Sequence, residues 1–164
     1  MDRRRLFTAG GAAVLAAAAA GKSAIAEGGA EQGIVGSYFG TITAVNPPLG
    51  SFNDVISFHE GGVVTESRRY FVPATPFGPL LETSGHGAWK RTGNRTYEAF
   101  FRFLLQQAPP SAGEPVGTDN IRLWVKLSRS TGKLTGTFES NIKDNTDTVI
   151  FTATGDFTAE PITV

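Results

Sequence analysis

The chain has 164 residues, 15 basic and 15 acidic side chains and no cysteine, one domain's worth of polypeptide with no disulfide to staple it. A hydrophobic fraction of 40% is enough to fill a core, and a charged fraction of 18% excludes a disordered polyelectrolyte and a basic nucleic-acid binder. Met1 is the single methionine, so soft-metal and iron–sulfur sites are excluded for want of thiol and thioether ligands.

In chain order, Met1 to Ala26 comes first and has the three parts of an export signal. These are the charged Asp2-Arg3-Arg4-Arg5, a run of small and apolar residues from Leu6 to Ala20, and the A-x-A cleavage pattern Ala24-Ile25-Ala26. The run is mostly Ala and Gly, too mild for a stable membrane anchor, which takes roughly 20 strongly apolar residues. Arg3-Arg4-Arg5-Leu6-Phe7 resembles the twin-arginine signal, and the weak hydrophobicity of the run and Lys22 ahead of the cleavage site agree with it. The resemblance implies a bacterial source, export by the twin-arginine machinery, and a periplasmic or secreted protein that begins at Glu27. An ordinary secretory signal with one extra arginine is the alternative, and it leads to the same side of the membrane. Loss of this segment would leave 11 basic and 14 acidic residues, an acidic balance that argues against any polyanionic partner, nucleic acid included.

From residue 27 to 164 the hydrophobic period is two, the mark of strands, and no stretch holds a helical period for three turns. Strands are expected at Gly36 to Val45, Asp54 to His59 and Val63 to Phe71, with Glu60-Gly61-Gly62 turning the second into the third. They follow at Gly85 to Arg91 and Arg95 to Leu105 around Thr92-Gly93-Asn94. The last three are Ile121 to Ser128, Leu134 to Asp144 and Thr148 to Phe157, joined through Ser130-Thr131-Gly132 and Asn145-Thr146. Asn46 to Phe52, Val72 to Leu81 and Gln106 to Gly117 carry most of the prolines and are expected to be loops, because proline removes a ladder donor.

Alternation then assigns faces. Tyr97, Ala99, Phe101, Phe103 and Leu105 share one side of their strand, as do Ile121, Leu123, Val125 and Leu127, and Val149, Phe151, Ala153, Gly155 and Phe157. Phe100, Leu104 and Trp124 fall on the opposite, mostly polar side. Eight half-buried strands in a hairpin meander, with no helix to cover them, bury their apolar side most economically by closing on themselves. The expected fold is all-β, a single antiparallel eight-stranded up-and-down barrel.

Gly36-Ser37-Tyr38, Phe58-His59-Glu60-Gly61-Gly62, and Gly85-His86-Gly87-Ala88-Trp89-Lys90-Arg91-Thr92-Gly93 followed by Tyr97 resemble secreted bacterial lipocalin-like, calycin-type barrels. Allene-oxide-cyclase-like and dirigent-like barrels share the same size and architecture. The resemblance implies a cup for an apolar small molecule.

An eight-stranded barrel is just wide enough to fill with its own side chains or to hold one small ligand. Phe58, Trp89, Phe101, Phe103, Leu123, Phe138 and Phe151 are the candidate lining for such a ligand. His59 and His86 are the only histidines and form no metal-binding pair, and there is no nucleophile elbow and no phosphate loop, so neither metal nor cofactor is expected. His86 lies between two glycines, where a ligand or a neighbouring backbone can approach. On the third strand Glu66, Arg68 and Tyr70 share one face, and Ser67, Arg69 and Phe71 share the other. A two-residue turn after Phe58 would send Ser67 and Arg69 inward, and a three-residue turn would send Glu66 and Arg68. An inward charge in an apolar barrel needs a partner and acquires a shifted pKa. Two functions follow. One is a module that binds a hydrophobic small molecule; the other is a cofactor-free isomerase, cyclase or lyase using His86, Glu66, Tyr70, Tyr97 or Arg69 for proton transfer or anion stabilisation.

Overall fold

The computed structural model describes residues 33–68, 71–72, 78–108 and 114–163, so the export segment, Arg69 and Tyr70 lie outside the described residues. The strands are β1 (Gly36–Asn46), β2 (Gly50–Phe58), β3 (Val63–Arg68), β4 (Phe71–Val72), β5 (Leu80–Glu82), β6 (Gly85–Gly93), β7 (Thr96–Gln107), β8 (Pro115–Leu127), β9 (Leu134–Asp144) and β10 (Val149–Pro161). Eight of them close a ring of antiparallel neighbours in the order β1-β2-β3-β6-β7-β8-β9-β10, with β10 returning to β1. Each joins the next in sequence around the ring, so the barrel is an up-and-down meander without a free edge. The two short strands are appended. β5 pairs with the end of β7, beyond the residues that pair with β6, and β4 pairs with β5.

The inward faces are those the alternation assigns for β7 and β8, where Tyr97, Ala99, Phe101, Phe103 and Leu105 and then Ile121, Leu123, Val125 and Leu127 are all buried. Phe100, Leu104 and Trp124 are exposed on the outer wall. β10 departs from strict alternation. Its ladder slips between Val149 and Phe151, so Val149 faces solvent while Ala153 and Phe157 point in. A bulge one residue into a strand flips the facing before it and keeps the facing after it.

Several boundaries also move, among them the start of β2 at Gly50, inside the loop expected from Asn46 to Phe52, and the end of β10 at Pro161, past the expected Phe157. The expected loop from Val72 to Leu81 ends in β5, because Leu80 finds a fully buried place beside Leu105 and Ile142. β8 begins at Pro115, six residues before the expected Ile121, and a first-position proline breaks no ladder bond. The β6–β7 turn centres on Asn94 and Arg95, with Arg95 at φ 58°. Its guanidinium donates to the Leu127 and Ser128 carbonyls, at 2.9 and 3.0 Å, tying that turn to the end of β8.

Inside, a large apolar cluster runs from Tyr38, Phe58 and Tyr97 to Phe101, Phe103, Leu123 and Phe138, and a smaller one gathers Leu80, Leu105 and Ile142 with Val116, Ile150 and Phe151. A polar layer lies between the two. Ser140 stands between Phe138 of the larger cluster and Ile142 of the smaller, each two residues away on the same face of β9.

Candidate functional site

The turn after β2 decides what the interior contains. His59 N–H donates to the Val63 carbonyl at 2.8 Å across a loop of three residues, Glu60–Gly61–Gly62, with φ of 79° at Gly61 and 84° at Gly62. Phe58 therefore pairs with Val64. Counting on in steps of two, Glu66 and Arg68 point into the barrel and Ser67 points out.

Arg68 crosses the lumen. Its Nε donates to Glu82 Oε2 at 2.7 Å and its Nη2 to Glu82 Oε1 at 2.8 Å, a two-point fork onto β5, and Nη2 also donates to Asp119 Oδ2 on β8 at 2.6 Å. Ser140 Oγ on β9 donates to Asp119 Oδ1 at 2.7 Å, which satisfies the far side of that carboxylate. The guanidinium lies 4.3 Å from the ring centre of Phe103 and 5.6 Å from that of Phe52, and such stacking suits its weakly hydrated planar cation. Space for the Phe103 ring comes from Gly85, where a Cβ would stand 2.7 Å from its Cζ. That close approach is why a glycine is needed beside His86.

Asp54 and Glu66 complete the layer, and they are held differently. Asp54 lies opposite Arg68 on the β2–β3 ladder, and Glu66 lies two residues before Arg68, opposite Ile56 and Gly85. Glu66 is 1% exposed, and neither of its carboxyl oxygens nor Asp54 Oδ1 meets a donor from the rest of the protein; the two carboxyl groups have only each other, joined by a side-chain hydrogen bond when one of them holds a proton. Gly40 on β1 leaves room for this carboxyl, since a Cβ there would collide with Asp54 Oδ1. Burial lifts Asp54 to a pKa of about 6, against the lowering effects of Glu66 and Arg68. Burial also pushes Glu66 well above the usual carboxylate range; Arg68 opposes the rise and the neighbouring Asp54 and Glu82 add to it. Two adjacent carboxyl groups in a dry site do not both ionise, so the pair retains a proton near neutral pH. Glu82 is likewise raised by burial, with Arg68 pulling it back.

Of the expected site residues, Glu66 is thus in the polar layer. Tyr97 is buried three inward-facing steps along β7 from Phe103, roughly 20 Å at strand rise, in an edge-to-face chain with Trp89 and on to Phe58 and Tyr38. It belongs to the opposite half of the interior and does not meet Glu66. His86 is a correction to the expected interior group. Its side chain is exposed on the outer wall, on the register line with Thr65 and Arg102, because inward facing at Gly85 and Gly87 sends position 86 outward. Arg69 and Tyr70 lie outside the described residues. The apolar candidates Phe58, Phe101, Phe103, Leu123 and Phe138 are together in the large cluster with Trp89 half-buried against it, whereas Phe151 packs in the smaller cluster.

Asp54, Glu82, Asp119 and Ser140 were not among the sequence candidates, yet the period of two reaches every one. Asp54 precedes Ile56 and Phe58 by steps of two, Glu82 follows Leu80, Asp119 precedes Ile121, and Ser140 lies between Phe138 and Ile142. Extending each apolar alternation by one polar step would have found the layer.

Comparison with family models, with curated proteins and with solved structures finds no match to this chain.

Proposed function

We propose that this is an exported, lipocalin-like barrel that binds an apolar or aromatic small molecule, with a polar group of that molecule held by Asp54 and Glu66. One observation carries the reading. A buried carboxyl group costs several kcal/mol unless its oxygens are satisfied, and Glu66 and Asp54 receive no donor at Glu66 Oε1, Glu66 Oε2 or Asp54 Oδ1 beyond the proton they share, whereas Glu82 and Asp119 are held by Arg68 and Ser140. Native proteins keep such groups where a ligand or a reaction uses them. The apolar clusters on either side supply the surroundings that a hydrophobic ligand prefers.

A second reading, a cofactor-free proton-transfer enzyme, is favoured by the same pair. A carboxyl that keeps its proton beside one that titrates near 6 combines an acid and a base in one dry site. A thermal-shift screen of fatty acids, terpenoids, phenolics and their amine and alcohol analogues tests both readings, since a compound that binds only the folded state raises the melting temperature. Hits recovered unchanged identify a carrier, and hits recovered as isomers or cleavage products identify an enzyme. Absence of any hit, or shifts that are unaltered in Glu66→Gln and Asp54→Asn, would defeat the assignment of this site.

A further inference from the structure

Resting on that binding reading, we infer that the molecule held between Asp54 and Glu66 carries a protonated amine. The first ground is donor and acceptor inventory. Arg68 is the one basic side chain of the polar layer among the described residues, and its Nε and Nη2 are already taken by Glu82 and Asp119. Asp119 has its second oxygen on Ser140. Among the buried atoms of the described residues, those that no donor of the rest of the protein reaches are all carboxyl oxygens, Glu66 Oε1 and Oε2 and Asp54 Oδ1, with only the proton the pair itself shares between them. A carboxylate ligand would bring more acceptors, whereas an ammonium brings three donors and no acceptor.

The second ground is charge. The layer sets four carboxyl groups, Asp54, Glu66, Glu82 and Asp119, around one guanidinium. The neighbouring positions of the layer add no cation among the described residues: Gly40 on β1 stands beside Asp54, Gly85 on β6 pairs with Glu66, Phe103 on β7 lies against Gly85, and Ser140 on β9 donates to Asp119. In the free protein a proton retained by the pair stands in for the missing positive charge. An ammonium entering the site supplies that charge itself, so the pair ionises and its proton leaves to solvent. A metal ion fits less well, because no group of three His, Asp or Glu among the described residues is arranged to hold one. The organic cation also carries the hydrocarbon that the flanking apolar clusters would bury.

The test uses three probes with one hydrocarbon: octylamine, octanol and octanoate, titrated calorimetrically into the purified protein at pH 7 in two buffers of different ionisation enthalpy. The amine is expected to bind at least about tenfold more tightly than the alcohol, as a charge-assisted hydrogen bond supplies, and the octanoate most weakly. Amine binding should release a proton, and its affinity should rise between pH 5 and pH 7. In Asp54→Asn/Glu66→Gln the amine advantage and the proton release should vanish while octanol still binds. Should that variant not fold, the wild-type comparison alone decides. Octanol or octanoate binding as tightly as octylamine, or amine binding without proton release, overturns the inference and leaves the binding reading standing. Failure of all three probes to bind overturns both.

Discussion

Replacing Arg68 by methionine keeps most of the side chain's stem and deletes its charge, which isolates the guanidinium. The side chains of Arg68, Glu82 and Asp119 are 7%, 2% and 4% exposed, so the two carboxylates left behind cannot turn to water. Breaking one buried ion pair by removing a partner costs about 3–5 kcal/mol. Here two carboxylates lose their partner at once, but one can take up a proton and donate to the other, which limits the loss to about that of a single pair, roughly 4 kcal/mol. For a domain of this size that lowers the melting temperature by about 12–16 °C. The loss should depend on pH. Glu82 is already raised by burial and is drawn down by Arg68, so without Arg68 it rises further. A group whose folded-state pKa is raised contributes most below its unfolded value and loses that contribution as pH rises. The deficit of Arg68→Met should therefore be full at pH 7.5 and clearly smaller at pH 4.5. Urea melts at both pH values, with unchanged slope, measure it. Adding Glu82→Gln and Asp119→Asn should recover most of the loss, because the two groups that held the guanidinium then leave no charge stranded. A loss under about 1 kcal/mol at pH 7.5, far below the range for a broken buried pair, or one equal at both pH values, would refute this account of the layer.

Asp54, at about 6, favours the folded state most below its ordinary carboxylate pKa and loses that contribution as pH rises through 6. The stability of wild type relative to Asp54→Asn should accordingly fall between pH 4 and pH 6 in denaturant melts, and a difference that rises there would contradict the raised value. Trp89→Ala should cost about 3 kcal/mol, since Trp89 packs edge-on against Phe58 and Tyr97 and donates to the His59 carbonyl, while Trp124, exposed on the outer wall, should cost less than about 1 kcal/mol. Similar losses in the two variants would refute the facing. For the proposed export, intact mass should give a mature protein starting at Glu27, and Arg3→Lys/Arg4→Lys should block its appearance outside the cytoplasm. Export indifferent to the double change would remove the twin-arginine reading.

The amino-acid sequence by itself determined the eight strands of the barrel apart from their ends, their antiparallel meander and the inward faces of β7 and β8, because alternation and hairpin turns are written within a few residues of where they act. It also held the whole polar layer in its period of two, from Asp54 to Ser140, although nothing local separates a charged residue at the end of an apolar alternation from one at a wet strand end. Which face of β3 turns inward hung on a single residue of turn length, and only the folded Glu60–Gly61–Gly62 loop, with both glycines at positive φ, chose Glu66 and Arg68 over Ser67. The tertiary structure alone decided that Arg68 meets Asp119, 51 positions away, and that Tyr97 and His86 stay apart from Glu66. Those distances depend on ring closure and on the stagger between strands, which sum over the whole circumference and are encoded in no one segment.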